Sequence, residues 1–164
     1  MNDFVITTKQ LTKSYNGQTV VNAVNLHVKK GRIYGLLGRN GAGKTTLMKM
    51  ILGLTAATSG RVDLFGKDCQ SRTKQLYSRI GAIIETPGFY PNLTGTENPE
   101  IFARLRGIAT PQAVENALKV VGLPYRDKKL FGKYSLGMKQ RLGIANAILH
   151  DPELLVLDVN CRIA

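Results

Sequence analysis

The sequence runs to 164 residues, enough for one domain with a sizeable core and too few for two full ones. Hydrophobic residues at 43% and charged residues at 21% exclude an intrinsically disordered chain, and no apolar run approaches the ~20 residues of a membrane span. With 23 basic against 11 acidic residues, a formal net charge of +12, the chain favours anionic partners, whether nucleotide, nucleic acid or an anionic membrane surface. Cys69 and Cys161 lie far apart and in no metal-ligand spacing, so neither a disulfide framework nor a zinc site is expected. The amino terminus lacks a basic region followed by an apolar core, so no signal peptide is expected either.

In chain order, residues 4–9 and 19–28 read as strands, the second alternating through Val20, Val24, Leu26 and Val28, with Ser14-Tyr15-Asn16-Gly17 as the turn between them. Tyr15 is an aromatic suited to stacking on a base, although taken alone such a residue is more often a half-buried turn tyrosine. Arg32-Ile33-Tyr34-Gly35-Leu36-Leu37 reads as a short buried strand. Gly38-Arg39-Asn40-Gly41-Ala42-Gly43-Lys44-Thr45-Thr46 then fits G-x-x-x-x-G-K-[ST]. In such a loop glycines let successive backbone N–H groups converge on phosphate oxygens, the lysine reaches the terminal phosphates, and a hydroxyl holds Mg²⁺. A helix over 46–52, stopped by Gly53, completes the strand–loop–helix context.

A strand follows at 61–66, a helix at 70–78, and a short apolar run, Gly81-Ala82-Ile83-Ile84-Glu85, that ends in a carboxylate. Residues 86–98 form a loop by composition. Helices are expected over 100–106 and 111–121, the second with Val114, Ala117, Leu118 and Val121 on one face. Ser135 is placed to N-cap a further helix with Met138, Leu142, Ala145 and Leu149 as its apolar stripe, which makes its amino end either an anion site or a routine capped terminus. Glu153-Leu154-Leu155-Val156-Leu157-Asp158 reads as a strand covered on both faces in a parallel sheet. Asp158 then falls at a carboxyl strand end, where a carboxylate beside a phosphate loop can bind the nucleotide's Mg²⁺.

Taken in order, the Tyr15 turn, the phosphate loop, the Glu85 turn, Tyr134-Ser135-Leu136-Gly137-Met138-Lys139-Gln140-Arg141 and the run to Asp158 resemble ATP-binding cassette (ABC) ATPases over nearly the whole chain. The resemblance implies an α/β P-loop NTPase (RecA-like) core with an antiparallel β amino-terminal part and an inserted helical subdomain: core at 1–86 and 150–164, insertion at 87–149. It implies ATP and Mg²⁺ as ligands. Tyr15 would stack on adenine. Gly38, Asn40, Gly41, Gly43, Lys44, Thr45 and Thr46 would cradle the phosphates. Thr45, Glu85 and Asp158 would face the metal. Ser135, Gly137 and Gln140 match the signature that completes the nucleotide site of the opposite subunit in a homo- or heterodimer. The implied setting is the inner face of the cell membrane, peripheral on a transmembrane permease.

Three departures shape this expectation. Most of the family has glutamine where this chain has Glu85, and a glutamate followed by Thr86-Pro87-Gly88-Phe89-Tyr90-Pro91 resembles the cassettes of bacitracin and lantibiotic exporters. The signature begins Ser135-Leu136-Gly137, a variant found in the same subgroup. After Asp158 the family pattern requires a glutamate that polarises the attacking water and, later, a histidine; here Val159 stands in the first position and the sequence ends at Ala164. The expectation is therefore a truncated cassette, its carboxyl-terminal core missing, that binds nucleotide with hydrolysis near background. A non-catalytic dimerising fragment is the alternative. A nucleic-acid-binding protein is disfavoured because the basic residues are scattered.

Overall fold

Strand β1 (Phe4–Tyr15) organises the amino-terminal unit, Met1–Leu76, in a computed structural model that describes residues 3–68, 74–85, 88–108 and 110–158. It pairs antiparallel with β2 (Gln18–Val24), with β3 (His27–Lys29) and, on its other edge, with β4 (Ser59–Leu64), which pairs with the short β5 (Lys67–Asp68). The expected turn contracts to Asn16-Gly17 between the Tyr15–Gln18 pair, both residues at positive φ (48° and 82°), the geometry that matches strand twist in a two-residue hairpin.

The alternating run at 19–28 is two strands rather than one. At the break, the Thr8 hydroxyl donates to the Val24 carbonyl (2.8 Å) and accepts from the Leu26 amide (2.8 Å), while Asn25 Oδ1 accepts from the Gln10 amide (2.9 Å). Side chains thus supply the bonds a ladder would make, and Gln10 and Ala23 adopt positive φ (48° and 46°) beside the break. Apolar alternation continues through it, which is why the pattern alone reads as unbroken.

The strand expected at 32–37 does not form. Tyr34 and Leu37 are exposed and Ile33 fully so. No strand among the described residues pairs with this segment, and an extended segment is a strand only when a neighbour takes its backbone groups. Beyond it, α1 (Lys44–Ile51) begins two residues earlier than expected and buries Leu47, Met50 and Ile51.

The second unit, Tyr77–Ala164, is built on a parallel pair, β6 (Ile80–Ile83) and β7 (Leu154–Leu157), with Ile80 opposite Leu154 and Ile83 opposite Leu157. An Arg79–Glu153 ion pair (2.6 Å and 3.0 Å) ties the strand entrances. Between the strands run α3 (Glu97–Leu105), α4 (Pro111–Val120) and α5 (Leu136–Ile148). The short helix α2 (Lys74–Tyr77) straddles the boundary of the two units. β7 is not fully covered on both faces: Leu154 and Val156 are buried, while Leu155 remains 39% exposed.

Helix α3 starts three residues before the sequence expectation. Pro99 disfavours a helix interior but is tolerated in the first turn. Thr94 and Glu97 form a reciprocal cap there, Glu97 carboxylate to Thr94 amide at 2.8 Å and Thr94 hydroxyl to Glu97 amide at 3.1 Å, which also holds the Glu97 carboxyl below its ordinary pKa. The expected apolar faces of α4 and α5 are those that pack. Val114, Ala117, Leu118, Leu142, Ala145 and Leu149 join Phe89 and Phe131 in one core, with Met138 and Val121 at its margin. Gly81 lies where α5 meets β6, and a Cβ there would run into the Ala147 carbonyl.

Candidate nucleotide-binding site

The phosphate-loop geometry follows from its glycines. Gly41 and Gly43 sit at φ 82° and 81°, a region costly to any residue with a Cβ. Gly43 is the N-cap residue of α1, so no side chain caps the helix, and the first turn holds no acidic residue. The helix thus offers its amino end, with its partial positive charge, to an anion. Lys44 reaches back over the loop, its ammonium donating to the carbonyls of Gly38 and Arg39 at 2.8 Å each. That places the charge at the loop mouth on bonds it can exchange for phosphate oxygens. Asn40 and Gly41 are exposed, Thr45 and Thr46 half-buried.

Tyr15, half exposed, stands at the end of β1 in the same unit. The two features are mechanically joined through β2: the space a Cβ on Gly43 would need is taken by the Val20 carbonyl and the Val21 side chain. Loop and hairpin therefore share a backbone contact that fixes where the loop turns into the helix.

In the second unit the parallel register brings two carboxylates to the same sheet end, Glu85 two residues beyond Ile83 and Asp158 directly after Leu157. The Asp158 amide donates to the Ile83 carbonyl at 2.8 Å, continuing the ladder to the last described residue. Glu85 has φ 67°, a strained conformation for a residue with a side chain and one that concentrates at functional turns. Thr45, the third expected metal-facing residue, belongs to the other unit. Among the described residues no group of three or more His, Cys, Asp or Glu is suited to hold a metal. Hydroxyl and carboxylate oxygens are the donor types a hard divalent cation takes, the hydroxyl lying in the first unit and the carboxylates in the second.

Ser135 caps α5 as expected, its hydroxyl accepting from the Met138 amide at 3.3 Å. Gly137 and Gln140 lie in the first turns of the same helix. Val159 lies outside the described residues, as do Thr86 and Pro87.

The structure adds residues the motifs did not flag. Lys13 lies over the Tyr15 ring with its ammonium 4.7 Å from the centroid; the signal was available, since residues two apart on a strand share a face. Asn98, fully buried, binds the loop before α3 through the Tyr90 amide and the carbonyls of Tyr90, Leu93 and Thr94. His150 bonds the Ile80 carbonyl through Nε2 (3.1 Å), and its buried Nδ1 has no hydrogen-bond partner. Burial lowers the His150 pKa, and nearby Arg106 adds to the effect.

The family model described as ABC transporter matches residues 21–160. The chain belongs to the ABC transporter family. Within it, the chain is 62% identical over 156 residues to the bacitracin transport ATP-binding protein of Enterococcus faecalis, covering 95% of this chain and 51% of that protein. It is 54% identical to the bacitracin transport ATP-binding protein of Bacillus licheniformis (94% and 50% covered) and 41% identical to the lantibiotic transport ATP-binding protein of Streptococcus pyogenes (92% and 64%). The chain thus spans about half the length of the two bacitracin-transport relatives. Among solved structures it is similar to cbiO1 from Clostridium perfringens, part of the ABC transporter complex cbiONQ, with TM-score 0.79, 26% identity and 94% and 65% of the two chains covered. It also resembles an ATP-binding subunit of an ABC transporter, with TM-score 0.78, 29% identity and 93% and 65% covered. The family and the α/β P-loop NTPase fold read from the sequence are those found. No helix among the described residues is long and apolar enough to cross a membrane.

Proposed function

We propose that the chain is the nucleotide-binding part of an ABC exporter ATP-binding subunit of the bacitracin and lantibiotic type. It would bind MgATP and work against a transmembrane permease at the inner face of the cell membrane. In this reading Gly38 to Thr46 hold the phosphates, Lys44 neutralises the terminal ones, Tyr15 stacks on adenine, and Thr45, Glu85 and Asp158 face Mg²⁺. Bound Mg²⁺ supplies charge neutralisation at the terminal phosphates. Ser135, Gly137 and Gln140 on α5 would serve the nucleotide of a partner cassette, and the 87–149 helices would meet the permease. The core would divide as 1–86 and 150–164.

The observation that carries the reading is the uncapped amino end of α1 with the Lys44 ammonium held over the loop mouth. An electrostatic and positioning role is what phosphoryl chemistry asks of such a loop. Val159, in the position of the family's water-polarising glutamate, has no group that accepts a proton, so the chain as it stands should bind ATP and hydrolyse it near background. Isothermal titration with ATP and Mg²⁺ tests the binding: saturable, one-site binding is expected, and Lys44→Ala should weaken it at least tenfold with the fold unchanged. Failure of the unaltered chain to bind, or a robust Lys44-dependent turnover, overturns the corresponding half of the proposal.

A second reading, a dimerising fragment that occupies an intact cassette, is favoured by the ordered Ser135 cap and the α5 core. It requires ATP-dependent co-purification with an intact relative; none sinks it.

A further inference from the structure

The hairpin that carries Tyr15 also holds a cation for which the phosphate-loop chemistry has no use. Lys13 and Tyr15 project from the same face of β1, and the Lys13 ammonium lies 4.7 Å from the ring centroid. The same nitrogen donates to the Ala56 carbonyl at 2.8 Å, so it is tethered at one end by its own backbone and at the other by a hydrogen bond. The strand beneath it is pinned to the same segment. The Ser14 amide donates to Thr58 Oγ1 (3.0 Å), the Thr58 amide donates to the Thr12 carbonyl (2.9 Å), and the Ser14 and Thr19 hydroxyls share a bond of 2.9 Å across the hairpin. An ammonium with this support stays over the ring, whereas a free lysine samples many rotamers.

We propose that Lys13 is a specificity-determining positioning residue for the nucleotide base. With one face of Tyr15 taken by the ammonium, a base stacks only on the other, and the ring is half exposed to receive it. The cation also draws π density toward itself, leaving the opposite face less negative. That face takes a large, electron-rich, amino-substituted purine better than a pyrimidine. Lys13 thus selects the base while Lys44 takes the phosphates. The inference rests on the stacking role proposed for Tyr15.

The experiment measures affinities of the full chain for ATP, CTP and inorganic tripolyphosphate in five forms: unaltered, Lys13→Met, Lys13→Arg, Tyr15→Leu and the Lys13→Met/Tyr15→Leu double variant. Lys13→Met should weaken ATP about two- to fivefold, the effect of an exposed cation–π contact, and leave tripolyphosphate unchanged, so that the preference for ATP over CTP narrows. Lys13→Arg, which keeps a cation over the ring, should restore both, and Lys13→Met should add nothing in the Tyr15→Leu background. Equal weakening of ATP and tripolyphosphate by Lys13→Met, at an unchanged thermal midpoint, overturns the proposal by making Lys13 a phosphate contact. Loss of ATP affinity in Tyr15→Leu with none in Lys13→Met overturns it while sparing the stacking role. No loss in Tyr15→Leu, or no ATP binding by the unaltered chain, removes the stacking role and this proposal together.

Discussion

Gly41 and Gly43 form a natural pair for testing how the phosphate loop is held. Their φ angles are almost identical, 82° and 81°, but their surroundings differ: a Cβ on Gly41 meets nothing within 4 Å, while one on Gly43 collides with the Val20 carbonyl and touches the Val21 side chain. Alanine at either position carries the left-handed backbone cost of ~1–2 kcal/mol, offset by ~0.4–1 kcal/mol from the less flexible unfolded chain. Gly41→Ala should therefore destabilise by no more than ~1.6 kcal/mol. Gly43→Ala adds an overpacking cost of ~1–3 kcal/mol, because the obstacle is backbone of a paired strand and has nowhere to swing. The expected total is ~1–4.6 kcal/mol, and with a urea dependence of ~2 kcal/mol/M the midpoint falls by ~0.5–2.3 M. Urea titrations followed by far-UV circular dichroism measure both variants, and ATP titration adds the functional side: Gly43→Ala should lose more affinity than Gly41→Ala, since it displaces the start of α1. Equal midpoints in the two variants would refute the argument that β2 braces the loop.

Three further outcomes are expected. Asn98→Ala removes the partner of the part-buried Tyr90 amide and one of the bonds to each of three carbonyls, so urea denaturation should show a loss of ~1–3 kcal/mol and amide exchange at Tyr90 should accelerate. Asp158→Asn, and to a smaller extent Glu85→Gln, should reduce the ratio of ATP affinity in Mg²⁺ to that in EDTA, about tenfold or more for Asp158, with the EDTA value little changed. His150 has its folded pKa below the unfolded 6.5, so the unfolded chain takes up the proton first as pH falls. Its contribution is complete above about 6.5 and is lost as pH drops through the folded value, and His150→Gln should flatten the denaturation midpoint across that window.

What the sequence made legible was what depends on local chemistry. The phosphate loop is a run of glycines with a lysine, and its function class follows from those residue types alone. The faces of α4 and α5 were readable because helical periodicity and burial agree at Val114, Leu118, Leu142 and Ala145. Legibility failed where a distant partner decides. The break between β2 and β3 is written in the hydroxyl of Thr8, 16 residues before the carbonyl it binds. The start of α3 was present as Thr94-x-x-Glu97, a capping box obscured by Pro99. Leu155 fits a doubly covered strand by composition, yet whether its outer face is covered depends on neighbours that no local pattern encodes.

The segment 32–37 carries this dependence into the site itself. Its composition is that of a buried strand, yet Ile33 is fully exposed and Leu37 is 89% exposed, an apolar surface that costs ~25 cal/mol for each Å² left in water. The phosphate loop hangs from this segment on one side and from α1 on the other. The α1 side is braced by Gly43 against Val20; on the side of 32–37, the Lys44 bonds to the Gly38 and Arg39 carbonyls reach across the loop to hold it. If, as proposed, phosphate draws the lysine away, loop amides closing on the anion would replace those bonds, and the order of the loop would pass to the segment that leads into it. Coupling of this kind is reciprocal: nucleotide should order 32–37, and anything that pairs with 32–37 should tighten nucleotide binding by the same factor. Hydrogen exchange of the full chain with and without MgATP measures it. Slower exchange of the amides of residues 33–37 is expected with ATP and absent in Lys44→Ala; protection confined to residues 38–46 would show that the loop closes independently of the segment that leads into it.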